Sequence, residues 1–301
     1  MEPLPTLDEA LRALGDVYVH SGPIEPPADE RLIQLAERPR GTKALLFICT
    51  YGGLANVAYR MIRCLRHAYQ DVTVVIAGPC KSAGTLLALG ADELVMTGNA
   101  ELGPLDVQIL KENELIARQS GLAPSSTFDF LTQEACKAFQ SAYLSMKFGG
   151  RLSSASAAET AARLTVGMFA PLFSQIDPIR VGETTMANLV AHKYALALLE
   201  HEGNQRSNTS PETIARLVTG YPAHDYVIDR QEARTLFNQV RAPNPQERVL
   251  IAKFSRVLAS PSDKLLLERF GTPSTTDHAN EDPGPTGEAA PTPTPVDGLP
   301  G

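Results

Sequence analysis

Apolar residues follow two different rhythms along this chain, and the switch between them outlines its architecture. Ala44-Leu45-Leu46-Phe47-Ile48-Cys49 and Val72-Thr73-Val74-Val75-Ile76 are short, nearly unbroken apolar runs, and Glu93-Leu94-Val95-Met96 is a third, shorter one. Runs of this kind predict strands covered on both faces, as in a parallel sheet. Between the first two, Leu54, Val57, Ala58, Met61, Ile62 and Leu65 recur at helical spacing, with Arg60, Arg63 and Arg66 on other faces. After the second run, small residues and leucines suit a close-packed helix. The alternation of strand, helix, strand, helix and strand predicts right-handed parallel crossovers, with functional loops at the carboxyl ends of the strands.

Beyond Asp106 the pattern is helical. Helices are predicted over Ser125 to Phe148, over the alanine-rich Ser153 to Phe169, which suits a packing or assembly surface, and over Glu183 to Glu202. A short helix from Arg230 to Phe237 and a terminal helix or helical pair from Pro245 to Phe270 complete the main domain, expected to span 41–270. Residues 1–40 are acidic and proline-containing and read as an N-terminal arm or covering segment with a helix near Glu30 to Glu37. From 271 to 301 proline, glycine, threonine and acidic residues leave almost nothing to bury, so that tail is expected to be disordered.

Composition narrows the function. The chain of 301 residues is 43% hydrophobic and 20% charged, ordinary for a globular protein with an ample core. Its formal charge of −7, with no concentrated basic stripe, argues against general binding to nucleic acid or to an anionic membrane. No stretch approaches the roughly 18 apolar residues of a membrane span, and the N-terminus lacks the pattern of a secretory leader, so a cytosolic protein is expected. Cys49, Cys64, Cys80 and Cys136 are too scattered to suggest a zinc site or a disulfide framework. No metal or organic cofactor is implied.

The candidate chemistry centres on Ser82, in Gly78-Pro79-Cys80-Lys81-Ser82-Ala83-Gly84-Thr85. It stands at a strand-to-helix turn, where a side chain can be exposed beside the first amides of a helix. The structural alternative is an ordinary N-cap serine bonded to an amide two or three residues on. A phosphate-binding loop is excluded, because that motif needs glycines where this chain has Cys80 and Val75. Cys80 is a competing nucleophile, although a free cysteine is more commonly a small core residue. Gly52-Gly53 ends the preceding strand, so the two turns are expected to face one another.

Together, Gly52-Gly53, Lys81-Ser82-Ala83-Gly84-Thr85, Gly90-Ala91-Asp92-Glu93, Glu101-Leu102-Gly103-Pro104-Leu105-Asp106 and Tyr221-Pro222-Ala223-His224-Asp225-Tyr226-Val227-Ile228-Asp229 resemble the serine dehydrogenase proteinase family. That family is a branch of the signal-peptide-peptidase-A and Clp-protease-like group, which shares the crotonase fold. The resemblance runs from about Ala44 to Phe237. It implies an α/β fold of stacked βαβ units with a helical assembly region, a Ser82 nucleophile acting on peptide or protein substrates, and self-assembly into a homo-oligomer. It also implies an oxyanion hole built from the amides of Gly53 and Ala83.

A neutral serine also needs a base and a group to orient it. Where the Clp proteases place their histidine, an ungapped count from Ser82 lands on Asp106, which is too acidic to serve as an ordinary base. His224-Asp225 precedes Glu232-Ala233 with the spacing of the Clp triad aspartate. His224 is therefore the expected base, oriented by Asp106 or Asp225. In a Ser-Lys dyad of the signal-peptide-peptidase-A type, Lys137 would take that place. Two other readings remain open: a non-catalytic peptide-binding scaffold that kept the groove and lost the base, and an acyl-CoA-processing crotonase that uses the same amides on a thioester.

Overall fold

In the computed structural model, residues 4–105, 124–200, 207–223 and 225–271 are described, and all belong to one compact unit ending at Gly271. Asp106, His224 and the expected tail from 272 onward lie outside the described residues. The three apolar runs become β2 (Lys43–Thr50), β3 (Asp71–Cys80) and β4 (Glu93–Met96), adjacent and parallel. They are joined by α3 (Ala55–Ala68) and α4 (Ala83–Leu89). Of the apolar positions read as one helical face, all but Leu54 are buried, because α3 packs that face on the sheet.

Among the described residues the sheet has seven strands. β6 (Val240–Arg241) extends it beyond β4, β5 (Glu101–Leu102) pairs with the last residues of β3, and β1 (Asp16–Ser21) lies on the other side of β2. β7 (Leu266–Phe270) closes the edge antiparallel to β1. Strand alternation divides the core. Tyr18, Leu46, Ile48, Val74 and Ile76 face α2 (Ala28–Ala36), α3 and α4, whereas Val17, Val19, Leu45, Phe47 and Val75 face α1 (Leu7–Leu14), α10 (Pro245–Lys253) and α11 (Ser255–Ala259). The continuous apolar runs are thus explained: both faces are covered.

Two expectations need correction. The segment 1–40 is more than an arm, since β1 is buried along its whole length between β2 and β7. Its polar ends disguise it: Asp16 is buried because Tyr69 Oη donates to it at 2.8 Å and Arg269 pairs with it at 2.8 Å. The stretch 245–270 is a helical pair followed by a strand, because Leu266–Phe270 covers the open edge of β1.

The helical region comprises α5 (Pro124–Leu144) running into a π-helical turn (Ser145–Gly149), then α6 (Ser154–Phe173), α7 (Pro178–Glu200) and α8 (Pro211–Thr219). α7 meets α3 and α4, where Tyr194 stacks on Tyr59 at 4.5 Å between ring centroids. α5 and α6 pack mainly on one another and leave Phe148, Val166, Met168 and Leu172 exposed. Among the described residues no helix is long and apolar enough to cross a membrane.

His20, on β1, is fully buried with neither ring nitrogen in hydrogen-bond geometry. Burial holds its pKa down to about 4, from an ordinary 6.5. The unfolded chain therefore binds a proton that the folded chain refuses between these values, so stability is retained above the upper one and falls as pH drops towards the lower. The loss integrates to about 3 kcal/mol. Denaturant unfolding at a series of pH values should show this slope in the wild type and a shallower one in His20→Leu. Equal slopes would refute the assignment.

Candidate active site

The end of β2 and the end of β3 are tied together before any catalytic side chain is considered. Lys81 N donates to Thr50 O at 3.0 Å, and Gly52 N donates to Thr50 Oγ1 at 2.9 Å. Thr50 is fully buried, and its hydroxyl shapes the turn that follows. A Cβ on Gly52 would stand 2.9 Å from Ser82 Cβ and 3.4 Å from Ser82 Oγ, and the residue has φ 117°. Glycine is required there because the backbone itself is the neighbour of the serine. As expected, the two turns face one another.

Gly53 forms a parallel bridge with Ile24. Ile24 N donates to Gly52 O at 2.9 Å, and Leu54 N donates to Ile24 O at 2.8 Å. In this arrangement the peptide groups flanking Gly53 serve Ile24, and the N–H of Gly53 points to the opposite side, towards the β3 side of β2. A side chain on Gly53 would overlap the Ile24 backbone. The N–H of Gly53 and the N–H of Ala83, first residue of α4, have no hydrogen-bond partner among the described residues. Ile24 and Thr50, which build this geometry, carried no signal in the sequence beyond being apolar and following an apolar run.

Ser82 occupies the N-cap position of α4, yet its side chain makes no capping hydrogen bond. The ordinary-cap alternative is thereby removed. Its backbone has φ 50° and ψ −113°, a strained conformation for a residue with a side chain, shared in sign only by Arg151 among the described non-glycine residues. Such conformations cost on the order of 1–3 kcal/mol and concentrate at functional sites. The strand-to-helix turn thus holds the hydroxyl beside the glycine turn rather than folding it back on the helix. Cys80 is fully buried, and burial drives its thiol pKa well above the ordinary cysteine value, so it remains a protonated core residue.

The segment carrying Asp225 comes to the same place through β5. Leu102 and Ile228 exchange hydrogen bonds of 3.0 and 2.9 Å, and Leu102 pairs in parallel with Cys80. Lys81 bridges the two segments, with Nζ 3.1 Å from Glu101 Oε2 and 3.3 Å from the carbonyl of Tyr226. Lys81 thus steadies an acidic neighbour as well as a backbone carbonyl. Asp225 is exposed at a turn. His224 and Asp106 lie outside the described residues. Lys137 stands elsewhere in character: it is on α5, 68% of its side chain is exposed, and it pairs with Glu134 at 2.6 Å. A lysine base needs the opposite surroundings, a dry site without a carboxylate partner. Among the described residues no cluster of side chains is suited to hold a metal.

Comparison with known proteins agrees with the region in which this geometry lies. Residues 27–116 match the model of the ClpP-like SDH-type serine proteinase family. Two uncharacterised proteins of Methanocaldococcus jannaschii are similar: one is 37% identical over 101 residues, 34% of this chain and 34% of the relative. The other is 34% identical over 82 residues, 27% of this chain and 29% of the relative. The chain thus spans about a third of the length of the curated relatives it matches. Among solved structures, the 1510-N membrane-bound stomatin-specific protease, solved as a mutant, is 16% identical, with a TM-score of 0.27 over 46% of this chain and 64% of that one. The resemblance read from the glycine turn and the Ser82 turn is therefore to a ClpP-like serine proteinase, and the parallel-rich α/β architecture accords with that fold.

If Ser82 is strained as described, Ser82→Gly relieves the strain and Ser82→Ala does not. Chemical denaturation should find the glycine variant more stable than the alanine variant by about 1 kcal/mol, despite the ordinary entropic cost of glycine. An alanine variant of equal or greater stability would contradict the backbone assignment.

Proposed function

We propose that this chain is a serine peptidase in which Ser82 attacks the peptide carbonyl. The observation that carries the reading is an uncapped, strained serine packed against the Gly52 turn, together with two backbone amides, Gly53 N–H and Ala83 N–H, that have no partner among the described residues. As Ser82 Oγ adds to the carbonyl carbon, the carbonyl oxygen gains negative charge. Two fixed amides stabilise that charge without reorganising, and the loss of one such donor typically costs on the order of a hundredfold in rate. The serine proton passes to the base and then to the departing amine, after which water repeats the sequence on the acyl-enzyme.

His224 is the proposed base, with Asp106 or Asp225 as its orienting carboxylate. The reading draws on the antiparallel bridge of Ile228 with Leu102, which brings the segment following His224 to the strand that pairs with the end of β3. The exposed, carboxylate-paired Lys137 suits the role poorly. The four cysteines are unpaired, which suits a reducing, cytosolic setting. A second reading, a peptide-binding scaffold, draws on the absence of any side-chain partner for Ser82 Oγ among the described residues.

Intact-mass analysis after treatment with a fluorophosphonate separates these readings. The wild type should gain one adduct, Ser82→Ala none, and Lys137→Ala one at an undiminished rate. His224→Ala should slow labelling by roughly a hundredfold or more. An unlabelled wild type that still binds peptides would support the scaffold.

Self-association is proposed to use the α5–α6 hairpin, where Phe148 is 73% and Val166 64% exposed. Such a patch is unusual on a monomer. Light scattering should find an oligomer in the wild type and a smaller species in Val166→Glu/Met168→Glu. An unchanged mass would rule this face out.

A further inference from the structure

Lys81 is a residue whose surroundings are more elaborate than a lysine needs. Lysine ordinarily lays its stem along a surface and keeps its ammonium in water. Here the side chain is only 11% exposed. Removing an ammonium from water is costly unless acceptors replace the hydration shell. Three do so: Glu101 Oε2 at 3.1 Å, the carbonyl of Leu102 at 3.4 Å and the carbonyl of Tyr226 at 3.3 Å. These match the three N–H bonds of the ammonium.

The stem also passes through a slot that the chain has left for it. A Cβ on Gly103 would stand 2.8 Å from Lys81 Cδ, so only glycine leaves room there. The Gly103 carbonyl is itself held by Thr85 Oγ1 at 2.8 Å, from the first turn of α4. The slot is therefore fixed to the helix that Ser82 begins. At its far end lie β5 and the Asp225–Asp229 segment, whose other described backbone attachment to β5 is the Leu102–Ile228 pair.

We infer that Lys81 is a positioning residue for the Ser82 reaction, its ammonium latching β5 and the segment after His224 onto the nucleophile turn. This rests on the reading of Ser82 as the nucleophile. The backbone of Lys81 fixes the turn to β2 through Thr50 O, and its side chain fixes the same turn to the segment beside the proposed base. One residue thus ties the nucleophile turn both to β2 and to the segment that follows His224 in sequence. Glu101, 40% exposed, is the solvent-facing half of the latch.

The test is the rate of fluorophosphonate labelling of the full chain against probe concentration, for wild type, Ser82→Ala, Lys81→Met, Lys81→Arg and Glu101→Gln, with hydrogen exchange read on peptides covering 225–229. Lys81→Met should lower the saturating rate roughly tenfold or more, since small misplacements of reacting groups are expensive. It should leave the half-saturating concentration unchanged and speed exchange in 225–229. Lys81→Arg should recover most of the rate, which a merely steric role for the stem would not produce. Glu101→Gln should lower the rate roughly threefold, as befits a half-exposed pair. If Lys81→Met labels as fast as wild type while Ser82→Ala stays unlabelled, the latch is refuted and the nucleophile stands. If the wild type does not label, the nucleophile reading falls and the latch with it. If Lys81→Met loses its native circular dichroism, Glu101→Gln decides, and an unaltered rate in that variant overturns the inference.

Discussion

The contact between the Gly52–Gly53 backbone and Ser82 is the constraint to which the rest of the site answers. No side chain fits between these two turns, and their closeness is set by hydrogen bonds that Thr50 makes to both. Thr50 pairs with Cys80 just after a shift in the parallel register of β2 and β3, so the irregular end of the sheet fixes the separation. Ile24 braces the glycine turn from the other side and directs its amide away from β1. A serine in an unfavourable conformation persists only where its surroundings over-determine it, and α4, buried at every residue, supplies the remaining restraint.

Buried charge joins parts of the chain that are distant in sequence. Arg269, on β7, pairs with Asp16 on β1, and Arg241 bridges Glu93, the first residue of β4, and the buried Glu247 of α10. Lys81 does the same at the carboxyl ends of the strands, collecting Glu101 and the Tyr226 carbonyl. Each pair lies at an end of the sheet, where strands stop and polar backbone must find partners. Breaking one partner of such a pair leaves the other uncompensated, which is why these contacts hold position more than they add net stability.

The helical region has a different character. α7 is anchored by Ala191 and Ala195, which are small enough to let it approach the core closely, and by the stacking of Tyr194 on Tyr59. The α5–α6 hairpin buries little beyond Ala157 and Ala161 and keeps large apolar side chains in contact with water. The half that carries Ser82 is thus complete in its packing, whereas the hairpin presents a surface whose burial would be favourable.

Sequence by itself determined the elements whose burial is uniform. β2, β3 and β4 were legible because strands covered on both faces are apolar throughout, and α3 because one face alone meets the sheet. It also determined where chemistry could reside, since Gly52, Gly53 and Ser82 stand at strand ends that a parallel topology must bring together. Only tertiary structure decided that Asp16–Ser21 is an inner strand, because its buried Asp16, His20 and Ser21 look like surface residues until Tyr69, Arg269 and the covering strand β7 are in place. It alone decided that Ser82 does not cap its helix, as capped and uncapped serines share one local pattern and differ only in backbone torsion. Lys137 and Lys81 make the same point. Spacing along the chain favoured the first, but the ammonium that lies against the site belongs to the second, because desolvation and partnership are properties of the folded surroundings and leave no mark in the spacing.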